Sequence, residues 1–374
     1  MKTYDYTNKV VYVGLDVHKK TYSCVSICDG EVVKRDTMPA DHGLLLRYLK
    51  NTFAGTASIK TAYEAGFSGF CLHRYLIENG IDSIVVHPGS IEVSSRNRVK
   101  TDKRDALKIA TQLSVGRLHG IFVPSSEQED QRNATRLRLN MVKLRHQIGS
   151  EFKALLFTHN LIAGDDDTPL SQTWILKKLS VIESGNYPRY FKYSINQYAQ
   201  QWEQLNARLK EITKVLKQQS EENMDLQQIY ESVPGIGPIN GRVLANELGD
   251  MKQFHSEKRL FSYTGLTPSE HSSGEHTRLG HITRQGNPIL RGILIEAAWM
   301  AIKQDDSLDQ VFQRLAKKSG KKRAIVGIAR RLIGRIRSCI NTGSLYQKNS
   351  KQETDFSQEK VARPRSTRLC VHNT

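Results

Sequence analysis

The stretch "VVYVGLDVHKKTYSCVSICDGEVVKRDT", residues 10–37, decides the fold. A β-branched run over 10–17 carries Asp16 near its end, and a second run follows over 22–28. Asp29-Gly30 is a hairpin signal leading into a third run over 31–37. Strands joined by turns this short form an antiparallel meander. Beyond it come a helix near 41–53, a strand over 58–65 carrying Glu64 and a helix over 69–79. A short strand over 83–87 and a helix opened by Asp102 complete the set. The order βββαβαβα predicts a mixed α/β sheet with helices packed against it.

At 374 residues the chain is long enough for two or three domains. It holds 55 Lys and Arg against 38 Asp and Glu, a net charge of +17, with a globular hydrophobic content of 38%. A field this positive favours polyanions, of which nucleic acid is the commonest in a cell. A basic membrane-surface protein is the competing class. The first six residues lack the apolar core of a signal peptide, and the longest apolar stretch, 289–302, is interrupted by Arg291 and Glu296. No membrane partner is expected. Five cysteines, odd in number and at no zinc spacing, read as reduced thiols in a cytoplasmic protein.

The middle of the chain is helical. Ile195, Tyr198, Trp202, Leu205, Leu209, Ile212 and Leu216 recur in steps of three and four, a heptad seam. Leu137, Met141, Leu144, Ile148, Phe152 and Leu155 form a second one. The two helices could pair within one chain, or between chains in a dimer. From residue 228 the pattern changes again: "PGIGP" (234–238) sits between helical stretches and looks like a helix-hairpin-helix element, with a plain interhelical turn as the alternative. Gly235 and Gly237 would there present backbone N–H groups to a phosphate. A basic helix around 317–337 places Ile325, Ile328, Leu332, Ile333 and Ile336 on an apolar face, with Arg330, Arg331, Arg335 and Arg337 elsewhere. The division expected is 1–125, 126–226, 227–343 and a disordered tail over 344–374.

In "VKTDKRDALKIA", residues 99–110, Asp102 and Asp105 are one turn apart on one helical face and repel unless something positive lies between them. Lys103, Arg104 and Lys108 could neutralise them, and Asp102 could cap the helix. The alternative adds Asp16 and Glu64, on strands expected to be neighbours. Four converging carboxylates would hold Mg2+, a hard, oxygen-seeking cation that also clamps a scissile phosphate. Arg96, Arg98, Lys100 and Arg104 would then contact the substrate backbone. The arrangement is that of the ribonuclease-H-like nucleases.

"GLDVHK" with Asp16, "YEAG" with Glu64, and "KTDKRDA" with Asp102 and Asp105 resemble the DEDD signature of a bacterial insertion-sequence transposase family. That family includes the Piv and MooV invertases and RNA-guided bridge recombinases. "PGIGP", "GLTPSEHSSG" and "GHITRQGNPILR" resemble its C-terminal half in the same order. The resemblance, over roughly residues 10–339, implies a RuvC-like N-terminal domain, a coiled-coil connector making dimer contacts, and a C-terminal transposase domain. It implies DNA transposition in the bacterial cytoplasm at the nucleoid, with a structured guide RNA and a dimer or tetramer as partners. It also implies a serine that links covalently to DNA, matching Ser273, with Ser272 adjacent. His271, His276, Arg278 and Arg284 flank that pair, suiting it to gripping a phosphodiester.

Three rivals remain at this stage. A RuvC-like structure-specific nuclease would use the carboxylates and water alone. A sugar-kinase-like or actin-like ATPase shares the early strand order but needs a second Gly-rich phosphate turn, absent after Glu64. A nucleic-acid-binding protein without activity would not depend on the four acids.

Overall fold

The computed structural model describes residues 4–91, 102–270, 279–283 and 285–348, without the side chains of 102–104 and 279. It divides into two compact units, Met1–Pro124 and Ser125–Thr374.

The first unit is a five-stranded sheet of β1 (Val10–Val17), β2 (Thr21–Cys28), β3 (Glu31–Pro39), β4 (Ser58–Glu64) and β5 (Asp82–Val86) in the order β3-β2-β1-β4-β5. The meander is antiparallel, whereas β4 and β5 join β1 in parallel. The strand carrying Glu64 therefore neighbours the strand carrying Asp16. Alternation along β1 sorts the helices. Val11, Val13 and Leu15 pack on α1 (His42–Thr52) and α2 (Cys71–Glu78) through Leu45, Leu49, Leu72 and Leu76. The opposite face takes α3 (Asp102–Ser114): Ala106 and Ala110 meet Val25 and Ile27, and Ile109 meets Ala62 and Val86.

The second unit is helical. Its elements are α4 (Ser126–Thr158), α5 (Gln172–Ser184), α6 (Arg189–Glu222), α7 (Met224–Glu231), α8 (Pro238–Leu248) and α9 (Glu257–Thr264). A two-stranded ribbon, β6 (Pro268–Glu270) and β7 (Leu279–Ile282), precedes α10 (Pro288–Ala301), α11 (Asp306–Ser319) and α12 (Lys321–Thr342). α4 and α6 pack along each other within the chain. On α6, Ile195, Leu209 and Leu216 are buried as expected. The seam expected on α4 holds at Phe152, which is buried, but Leu137 and Leu144 are about half exposed, and the buried line also runs through Thr135, Gly149 and Leu156. Close approach and polar contacts explain the difference. A Cβ on Gly149 would crowd Leu170, with Trp202 just beyond, and Arg138 and Arg145 donate to Thr213 and Asn206 of α6.

The basic helix expected around 317–337 is two helices. Gly320, at φ +81°, ends α11 and begins α12. The apolar face on α12 is as expected, with Ile325, Ile328, Leu332, Ile333 and Ile336 buried. Its arginines are not all at the surface. Arg335 reaches the fully buried carboxylate of Asp305 at 3.1 Å, Arg337 donates to the Phe254 carbonyl at 2.8 Å, and Arg330 lies over the Phe261 ring.

Asp305 caps α11 through Ser307 and Leu308 N–H and also accepts from Tyr346 Oη at 2.6 Å. Burial opposes its charge, but hydrogen bonds from Ser307, Tyr346 and Leu308, then Arg335, hold it below the usual carboxylate range. Its contribution to stability is therefore complete above the unfolded carboxyl pKa of about 3.9 and is lost as pH falls through the lower folded value. Asp305→Ala should cost about 3 kcal/mol at neutral pH by stranding Arg335. In urea melts, the gap from the parent protein should narrow below about pH 4.

Candidate functional site

The register pairs Gly14 with Ala62 and Leu15 with Tyr63, so the next step along both strands sets Asp16 beside Glu64. Residues opposite one another in a parallel pair share a face, and here it is the face that α3 covers. α3 lies almost on the backbone of β1. A Cβ at Gly14 would fall well inside contact distance of the Ala106 carbonyl and the Ala110 nitrogen. Asp105 immediately precedes Ala106, and Asp102 is the first residue of the helix. Two strand ends and one helix start thus bring acidic residues to one sheet face.

Backbone contacts fix Glu64 at its strand end. Ala65 N–H donates to Val86 O at 2.8 Å, and the buried Tyr63 hydroxyl donates to Gly69 O at 3.1 Å. Glu64 itself is exposed. Asp16 and Asp105 are about one-fifth exposed; His18 Nε2 lies 3.2 Å from Asp16, and Lys108 Nζ pairs with Asp105 at 2.8 Å. Among the described residues, no three His, Cys, Asp or Glu side chains are grouped closely enough to hold a metal ion. The side chain of Asp102 lies outside that set. The donor chemistry itself suits Mg2+: the acids offer hard oxygen ligands and no sulfur. Both Asp16 and Asp105 already sit against basic groups whose place a cation can take.

Of the residues expected to touch nucleic acid, Arg104 is in the first turn of α3, while Arg96, Arg98, Lys100, Arg278 and Arg284 lie outside the described residues. The glycines of "PGIGP" differ from one another. Gly235, at φ +84°, packs on α10, where a Cβ would come within 2.6 Å of Ala297 O and 2.7 Å of Met300 Cβ. Close packing therefore accounts for Gly235. Gly237 is exposed, has open space about it, and begins α8.

Ser272 and Ser273 fall in the segment joining β6 to β7, also outside the described residues. The base of that ribbon is described. Gly286, at φ +95°, comes so close to the end of α9 that a Cβ would sit 2.5 Å from Tyr263 O and 2.6 Å from Ser262 O. Gly265 meets Gln285 O in the same way. Asn287 caps α10, takes Tyr263 O through its own N–H, and donates from its amide to Glu247 Oε2 at 2.9 Å. Glu247 is fully buried and receives Arg136 bidentately at 2.7 and 3.0 Å. Sequence reading missed Glu247, whose only signal is an acid within the apolar stretch "RVLANELGD".

Two family profiles match the chain. One, described as a DEDD transposase of the IS110 type, matches residues 13–160; the other, described as "Transposase IS116/IS110/IS902 family", matches 227–313. A putative transposase, y4qE, of Sinorhizobium fredii is 28% identical over 295 residues, covering 77% of this chain and 71% of that protein. A second from the same organism, y4rJ, is 26% identical and covers 90% of this chain and 93% of its own. The transposase for insertion sequence element IS1533 of Leptospira borgpetersenii is 26% identical over 77% of this chain and 84% of its own.

A ribonuclease-H-like acidic domain followed by a helical transposase domain defines an enzyme that acts on DNA. The chain belongs to the IS110 family of bacterial DEDD transposases. Among the described residues, no helix is long and apolar enough to cross a membrane.

Gly14→Ala should drive α3 off the sheet and lower stability by about 2 kcal/mol or more, read as a fall in thermal midpoint. Gly66→Ala, whose Cβ would meet only Glu64 O at 4.0 Å, should be close to neutral.

Proposed function

We propose that this transposase cuts and rejoins DNA strands through two centres, one in each unit. Asp16, Glu64, Asp102 and Asp105 would hold Mg2+. What carries this reading is the strand register that sets Asp16 beside Glu64 beneath the start of α3. When bound, the ion supplies polarisation of a phosphate and stabilises the negative charge that grows on it. Lys108 and His18, which lie against Asp105 and Asp16, would yield those carboxylates to the ion. Arg96, Arg98, Lys100 and Arg104, with Arg278 and Arg284 in the second unit, hold the strand by its backbone without reading bases. Gly235 orders the turn so that Gly237 can offer the exposed start of α8 to the same backbone.

Ser273 is the nucleophile. Its hydroxyl loses a proton, the Oγ–P bond forms, and the bridging P–O bond of the strand breaks to release a hydroxyl end. A hydroxyl from a different strand then attacks the phosphoserine, regenerating Ser273 and joining the new partners. Phosphodiester energy is conserved, so no external energy source enters. Family membership supports a structured guide RNA as the means of target choice, and a dimer or tetramer as the working form.

Asp105→Asn and Glu64→Gln should each abolish Mg2+-dependent strand cleavage on labelled element ends while leaving the fold intact by circular dichroism. Undiminished cleavage in either variant removes the acidic centre. Ser273→Ala should eliminate the covalent protein–DNA band on denaturing gels, and Ser272→Ala should retain it. A band that survives the double substitution removes the serine. Full cleavage with no band in any protein favours a nuclease that uses water.

A further inference from the structure

The chain has no acidic residue between Asp309 and Glu353, yet it is rich in cations there. Three of those cations are taken up internally: Arg335 by Asp305, Arg337 by the Phe254 carbonyl and Arg330 by the Phe261 ring. Six others, Arg314, Lys317, Lys318, Lys321, Lys322 and Arg323, are exposed around the Gly320 turn. None makes an ion pair among the described residues.

Helix stability does not explain them. Lys317 and Lys318 suit the negative end of α11, but Lys321, Lys322 and Arg323 crowd the positive end of α12. That end has no acid in its first turn and no side-chain cap. A local electrostatic conflict with no compensating ion pair among the described residues points to a partner outside the fold. The partner must bring closely spaced negative charge. Residues 313–345 contain no aromatic side chain, so the turn itself supplies no ring on which the splayed bases of single strands or RNA loops could stack.

We infer that the α11–α12 turn docks the sugar–phosphate backbone of duplex DNA, independently of base sequence and through residues other than those of the proposed catalytic centres. The choice of DNA rests on the reading of the chain as a DNA recombinase.

The test uses the full-length protein and fluorescence anisotropy with duplexes of unrelated sequence across a salt series. Combined Lys317→Gln, Lys318→Gln, Lys321→Gln and Lys322→Gln should weaken binding about tenfold or more on every duplex. The slope of log affinity against log salt should fall by about three to four, near 0.9 per lost phosphate contact. The Lys317→Gln/Lys322→Gln pair should lower it by about two. The fourfold Lys→Arg variant should restore both affinity and slope, and the thermal midpoint should not move. Unchanged affinity and slope overturn the inference, as does a loss seen with duplex RNA and not with DNA. If DNA binding and slope stay intact in the glutamine variant while the parent cleaves DNA, this surface fails and the proposed chemistry stands. If the parent does not cleave but the lysine effect persists, the chemistry fails and the surface stands.

Discussion

The near-contact of α3 with β1 at Gly14 is the constraint on which the first unit depends. β1 is the central strand, and its odd residues are committed to the core beneath α1 and α2. The other face must accept a helix at a distance that any side chain at position 14 would prevent. Closeness has a chemical consequence, since Asp105 immediately precedes Ala106, whose carbonyl Gly14 admits. The glycine of "GLDVHK" and the aspartate two residues later thus serve one purpose: the first admits the helix and the second faces it.

Backbone proximity recurs in the second unit. Gly235 lets the α7–α8 turn lie on α10, and Gly265 and Gly286 let the two sides of the ribbon base touch main chain to main chain. Around these contacts the unit buries two carboxylates, Glu247 and Asp305, each satisfied by an arginine from a distant helix and by neutral donors. A strongly cationic chain can afford such buried anions because partners are plentiful. Removing one partner is costly because the other is left charged out of water.

The α/β half was legible because β-branched runs, a hairpin signal and short turns all point to one topology. The positions of the acids on their elements were legible, since Asp16 and Glu64 lie at the ends of neighbouring strands and Asp102 and Asp105 at the start of a helix. The α4 seam was legible only in part, at Phe152. Hydrophobic periodicity selects Leu137 and Leu144, whereas the buried line runs through Thr135 and Gly149, where small size decides and hydropathy is silent. The break at Gly320 escaped because an amphipathic pattern continues on both sides of it. Glu247 escaped because its partner Arg136 is 111 positions away, and sequence spacing carries no trace of the pairing. Gly235 carried a motif-like signal whose physical basis is a steric one against α10.

The clamp at Gly265, Gly286 and Asn287 grips the base of the β6–β7 ribbon by main chain and cap. Such a mount tolerates exchange of what it carries. Doubling the length of that connection adds only about 0.6 kcal/mol of closure entropy. The number of residues flanking the proposed Ser273 can therefore change at small cost while the scaffold beneath keeps its shape, provided the serine itself is retained.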